Sequence, residues 1–113
     1  MAEDISTIIS NTEFTRLRQS AIEKLKVVLQ ESLFFSFRGG LFKADAQTLS
    51  FVKLLYKYNQ PIVLIDTQEE VIDIEYPDTF INTLLETYYK ATNQYLTDYK
   101  RIKEYRRKED FVS

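Results

Sequence analysis

Apolar side chains recur along this chain with two periods, and the switches between them mark its elements. Over residues 12–30, Phe14, Leu17, Ala21, Leu25 and Val28 fall three or four apart, with Ile22 and Leu29 widening the stripe. That spacing predicts an amphipathic helix over 12–30. Asn11 or Thr12 can accept from the free amides of its first turn. Upstream, Ile5, Ile8 and Ile9 suit either an extra turn or a short strand, so residues 1–11 are expected as a loose N-terminal segment. The stretches "LFFSF" and "LFKA" that follow are short and aromatic, which favours strand. Between them stand Arg38, Gly39 and Gly40, the last two being the only glycines in the chain. A two-residue type I′ hairpin needs positive φ at both central positions, and Gly-Gly meets that without a Cβ clash.

Asp45 then suits the N-cap of a second helix over 46–58. Leu49, Val52 and Leu55 form its stripe, with Phe51, Leu54 and Tyr58 beside it. Pro61 ends it, because the residue before proline avoids the helical region. "PIVLID" (61–66) is a nearly continuous apolar run and predicts a buried strand. "EVIDIEY" (70–76) alternates, with Val71, Asp73 and Glu75 opposite Ile72, Ile74 and Tyr76, which predicts a strand with one wet face. A tight "DTQE" connection makes the two a second hairpin. Pro77 closes that strand, and Asp78 is placed to cap a long helix over 79–108. Phe80, Leu84, Tyr88, Ala91, Tyr95, Tyr99 and Ile102 keep helical spacing along it, with Leu85, Leu96 and Tyr105 on the flank.

The expected architecture is therefore one α+β domain spanning 1–113. It has a three- or four-stranded, mainly antiparallel sheet packed against helices, and a long C-terminal helix. About thirty helical residues at ~1.5 Å each span roughly 45 Å. A domain of this length has a diameter of roughly 30–35 Å. The ridge through Tyr88, Tyr95, Tyr99, Ile102 and Tyr105 should then overrun its own core and meet another copy, a partner or a bent-back N-terminus. A homodimer packed through that ridge is the expectation, and tyrosine, with its large face and polar tip, suits an interface.

Composition narrows the chemistry. The 113 residues contain no Cys and no His, which removes disulfides, thiolate metal sites and imidazole acid–base catalysis. Hydrophobic content of 44% with 28% charged residues is that of a globular domain. The acidic start "MAEDISTIIS" is unlike a signal peptide, and no stretch has the ~18 apolar residues of a membrane span. The expectation is a soluble cytoplasmic protein. Net charge is −2, but unevenly spread. Asp66, Glu69, Glu70, Asp73, Glu75, Asp78 and Glu86 form an acidic zone with no base among them. Lys100, Arg101, Lys103, Arg106, Arg107 and Lys108 form a basic end broken only by Glu104.

Four constellations bear on chemistry. From Arg38 the sequence matches an RNP1 signature only at Arg38, Gly39 and Phe42, and no phosphate-loop motif exists. Pro77-Asp78 with Asp98-Tyr99-Lys100 has the letters of a metal-dependent nuclease motif, but one intervening helix would hold the carboxylates about 30 Å apart. The acids 66–75 lack a calcium-loop pattern and suit a solvated face or a surface for a basic partner. The basic end, interleaved with Tyr99 and Tyr105, could contact nucleic acid or an acidic protein. No cofactor or metal is expected.

The stretch "FFSFRGGLFKAD" (34–45) and a Tyr- and Ile-rich composition resemble the small accessory proteins of T4-like phages of marine bacteria. The resemblance implies a role in virion assembly or host takeover, in the host cytoplasm, and assigns no functional residue. The residues themselves point to a non-enzymatic interaction or assembly protein. A nucleic-acid accessory protein using Lys100–Lys108 is the alternative.

Overall fold

The computed structural model describes residues 5–58, 60–106 and 108–111. The elements run α1 (Ile5–Ser32), β1 (Phe34–Phe37), β2 (Gly40–Lys43), α2 (Ala46–Tyr56), β3 (Ile62–Ile65), β4 (Val71–Ile74) and α3 (Pro77–Glu104), with a 3-10 turn at Lys108–Phe111. They form an α+β chain with a long C-terminal helix. None of its described helices is long and apolar enough to cross a membrane. The chain divides into two compact units, Leu29–Asn93 and a second made of Met1–Val28 with Gln94–Ser113.

In the unit Leu29–Asn93, α2 starts as expected. Asp45 takes an extended conformation (φ −91, ψ 171), and its carboxylate accepts from the Thr48 N–H at 2.8 Å. The helix ends at Tyr56, two residues short of the expected 58. α3 starts earlier than expected. Pro77 is its first residue, where the fixed φ suits the helix and the missing N–H is no loss. Asp78 therefore lies in the first turn and not at the cap, where Tyr56 hydrogen-bonds to it. The Tyr56 hydroxyl is pushed above its ordinary value by that hydrogen bond and by the negative charge of Asp78.

Phe80 anchors the core. It is fully buried, and the rings of Phe42, Phe37 and Phe35 stand 5.0, 5.1 and 5.7 Å from it, the first two edge-on. Burying such a ring contributes about 1.5–3 kcal/mol, and each good ring pair adds about 0.5–1.5 kcal/mol. Among the described residues, Val52, Ile74 and Leu84 are the other large side chains fully enclosed.

The strands depart from the expected single sheet. β1 pairs only with β2, and β3 only with β4, as two separate antiparallel hairpins. The reason lies at Leu41. Its N–H donates to the Asp66 carboxylate at 2.8 Å, and its carbonyl accepts from the Thr67 N–H at 2.9 Å and the Thr67 hydroxyl at 2.8 Å. The outer edge of β2 is thus taken by the turn of the second hairpin before a β2–β3 ladder begins. Gly40 assists: a Cβ there would lie 2.7 Å from Ile72 Cγ1 and 2.9 Å from Phe42 Cε2.

The first turn is of the two-residue kind, one residue earlier than Gly-Gly would place it. Phe37 pairs with Gly40, so Arg38 (φ +51) and Gly39 (φ +82) are its central residues. Glycine is required at one end of the pair, and Arg38 accepts the left-handed conformation that a side chain ordinarily resists. The second hairpin closes through Thr67, Gln68 and Glu69, with Glu69 at φ +64, as in a three-residue loop ending in a left-handed residue.

In the other unit, α1 begins at Ile5 and not at residue 12; residues 1–4 of the expected loose segment lie outside the described residues. α3 ends at Glu104. Arg18 on α1 donates to the carbonyls of Tyr105 at 3.1 Å and Lys103 at 3.5 Å, occupying carbonyls that a helix end leaves without partners. Phe111 joins the two segments, edge-on to Tyr105 at 4.8 Å and to Phe14 at 5.6 Å.

Candidate functional site

The C-terminal ridge was expected to meet another copy, a partner or a bent-back N-terminus. Within the unit that holds it, the ridge is covered in part. Ile102 is 6% exposed. Tyr95 and Tyr99 are half-buried, their rings nearly parallel at 6.0 Å. Tyr105 is half-buried against Phe111. Tyr88 belongs to the other unit and packs, half-buried, against the core around Phe80. Contacts from α1 to this end of the chain come from Phe14, on Phe111, and from Arg18, on the Tyr105 carbonyl. The isoleucines at 5, 8 and 9 are helical, which periodicity over so few residues could not decide.

The basic end is similarly occupied. Lys100, Arg101, Lys103 and Arg106 are exposed, but Arg101 pairs with Asp98 at 3.0 Å. Arg106 donates to the Lys103 and Tyr105 carbonyls. The Lys103 ammonium stands over the Tyr99 ring at 5.8 Å. Arg107 and the side chain of Lys108 lie outside the described residues. The tyrosines that would stack on bases are engaged with each other or with Phe111.

The acidic zone divides into two roles. Asp66 is 6% exposed. One of its carboxylate oxygens accepts from Leu41 N–H, the other from Gln68 N–H at 2.9 Å and Glu70 N–H at 2.7 Å. The Leu41 bond, with help from Glu70 and Gln68, holds its carboxyl below the ordinary carboxylate value, against the opposing effect of burial. It is a structural clasp between the hairpins. Glu69, Glu70, Asp73 and Glu75 are all exposed. Among the described residues no group of three or more Asp or Glu side chains is placed to hold a metal ion. Asp78 and Asp98, the pair with nuclease-like spacing, both lie on α3, the first beside Tyr56 and the second bonded to Arg101 and Gln94.

What sequence reasoning missed is the outer face of the second hairpin. The apolar run 61–66 was expected to be covered on both faces. Ile62 and Leu64 are buried, but Val63 is 64% and Ile65 69% exposed. Val71, paired with Ile65 across the hairpin, is 68% exposed. Three β-branched side chains thus stand side by side in water, with Asp73 opposite Val63. Among the described residues, Ile62, Leu64 and Ile74 of this ribbon join the core, and Val63, Ile65 and Val71 stay exposed on its other face. Beside it, between β3 and the edge of β2, is a cavity of about 610 Å³ whose walls include Phe42, Lys43, Phe51, Val52 and Ile65. Phe51, expected to flank the α2 stripe, is half-exposed at its mouth. A second, nearly all-apolar hollow of about 430 Å³ lies between α2 and α3 at Leu49, Val52, Ile81 and Leu84, but all four of these belong to, or pack on, the core itself.

Compared with protein families, with curated proteins and with solved structures, this chain matches none.

Proposed function

We propose that this chain is a non-enzymatic protein-interaction or assembly protein, and that the outer face of the β3–β4 hairpin is its docking surface. The supporting observation is the mismatch between the composition of β3 and its cover. A strand written Ile-Val-Leu-Ile has the pattern of one buried on both sides, and the described residues bury only one. Scattered exposed apolar residues need no explanation, but a contiguous group rimmed by polar residues marks an interaction surface. Here the rim is Asp73, Glu69, Glu70 and Glu75. The ridge Tyr88–Tyr105 suits a second copy less, because Ile102 has no surface left to offer. The basic end suits nucleic acid less, because Arg101, Arg106 and the rings of Tyr99 and Tyr105 already have partners.

The test is selection of random displayed twelve-residue peptides on the full chain and on a Val63→Glu/Ile65→Glu double variant. Both positions are exposed, so the variant should fold. Clones enriched on the wild-type protein and lost on the variant are the expected result. Enrichment indifferent to the two substitutions, or none at all, would refute this reading.

A further inference from the structure

We infer that the outer edge of β3 receives an extended segment of a partner protein, one that carries lysine or arginine around β-branched residues, as an added strand; this rests on the reading of the hairpin as an interaction surface. Backbone geometry comes first. The Asp66 N–H donates to the Glu70 carbonyl at 2.9 Å. In an antiparallel pair, bonded positions alternate, so Leu64 and Ile62 exchange bonds with Ile72 and Ile74. Val63 and Ile65 turn their N–H and C=O groups away from β4. No hydrogen bond among the described residues reaches those outward groups.

Proteins ordinarily blunt such an edge with a charge, a proline, a bulge or a covering element. β3 carries none of these within its four residues. The strand that topology would have placed there, β2, is held off: Leu41 is tied to Asp66 and Thr67. The two hairpins part beyond that clasp, and the cavity of about 610 Å³ opens along β3. An added strand would set alternate side chains against Val63, Ile65 and Val71 on the open face, and the others toward Phe42 and Phe51 in the cavity.

Charge selects the occupant. From Asp66 to Glu86 the chain carries seven acids and no base, and Glu69, Glu70, Asp73 and Glu75 are exposed on this hairpin. Among the described residues the one cation on the cavity wall, Lys43, lies over the Phe34 ring at 5.6 Å. A basic segment is therefore attracted. Pairing of two β3 edges across a two-fold axis would bring two acidic hairpins together, so a second copy is disfavoured at this edge.

A fluorescein-labelled nonapeptide, Lys-Lys-Val-Thr-Val-Thr-Val-Lys-Lys, titrated with the full chain and read by anisotropy, tests this. Four paired residues make a small, transient contact, so a Kd of roughly 10–100 μM at 50 mM salt is expected. Raising salt to 300 mM should weaken it several-fold. The same peptide with Glu for Lys should bind at least tenfold more weakly, as should one N-methylated through its five central residues. Asp73→Lys, on the exposed face, should weaken the basic peptide and favour the acidic one. No saturable binding up to 1 mM protein, equal binding of the acidic peptide, or equal binding of the N-methylated one each overturns the inference. So does sedimentation showing a dimer that Ile65→Lys dissolves, which would make a second copy the occupant. If the nonapeptide fails while displayed clones still require Val63 and Ile65, only the added-strand inference falls.

Discussion

Gly40→Ala tests how the hairpins are held together. The φ of Gly40 lies outside the left-handed region, so alanine meets no backbone strain. By itself the substitution would stabilise by about 0.4–1 kcal/mol, through loss of unfolded-state freedom. Against that, the new Cβ lies 2.7 Å from Ile72 Cγ1, 2.9 Å from Phe42 Cε2 and 3.0 Å from Ile72 Cδ1. Phe42 is buried and in ring contact with Phe80, so it cannot turn aside cheaply. Overpacking of this kind costs about 1–3 kcal/mol. Sterics win, and the net expectation is a loss of about 1–2 kcal/mol. With an m value near 1.5 kcal/mol/M, the urea midpoint falls by about 1 M. Adding Ile72→Ala removes the nearest obstruction, so the double variant should recover about 1 kcal/mol relative to the sum of the two single changes. Gly39→Ala supplies the contrast. It meets no atom within 4 Å but has φ +82, so it should cost about 1 kcal/mol by conformation alone and should not couple to Ile72. A Gly40→Ala midpoint at or above wild type would show that Ile72 moves away freely, and that close approach is not why glycine stands there.

Three further outcomes follow from the geometry. The Asp66 carboxyl is held below its ordinary value in the folded chain, so its contribution to stability is present above the unfolded pKa near 4 and is lost as the pH falls through the lower folded value; urea midpoints from pH 7 to pH 2.5 should fall less steeply in Asp66→Asn than in wild type, and parallel curves would contradict the clasp. Glu69 holds φ +64 without a Cβ-free backbone, so Glu69→Gly should raise stability by about 1 kcal/mol, a Tm increase of several degrees by calorimetry; no increase would mean the turn has another support. Ile102→Ala removes a buried side chain, so it should lower the stability read from urea unfolding by about 2 kcal/mol or more, to the same extent at 5 and 200 μM protein; a loss that depends on concentration would mean a second copy shelters the ridge.

Much of this fold was legible in order and type. The stripes Leu49–Val52–Leu55 and Phe80–Leu84–Ala91 are period-3.6 patterns long enough to be unambiguous, and Asp45 and Pro77 are end signals with a local cause. The hairpins were legible because Arg38–Gly40 and Asp66–Glu69 are turns written in a few adjacent residues. The candidate surface was not. "PIVLID" reads as a strand in any context, but nothing in those six residues says how many layers the rest of the chain can supply. The ridge on α3 was legible as apolar, yet its cover depends on contacts such as Phe14 with Phe111 and Arg18 with the Tyr105 carbonyl, which join residues some ninety positions apart.

The sequence by itself determined the kinds of element, their order, the turns and the absence of thiol and imidazole chemistry, because these depend on the composition and periodicity of neighbouring residues. Tertiary structure decided whether four strands make one sheet or two hairpins, which half of β3 is wet, and what lies on the C-terminal ridge. Those outcomes turn on contacts between residues far apart in the chain, such as Asp66 with Leu41, Gly40 with Ile72 and Arg18 with Tyr105. A carboxylate that takes the edge of β2 changes the fate of β3 without leaving any mark in β3's own residues.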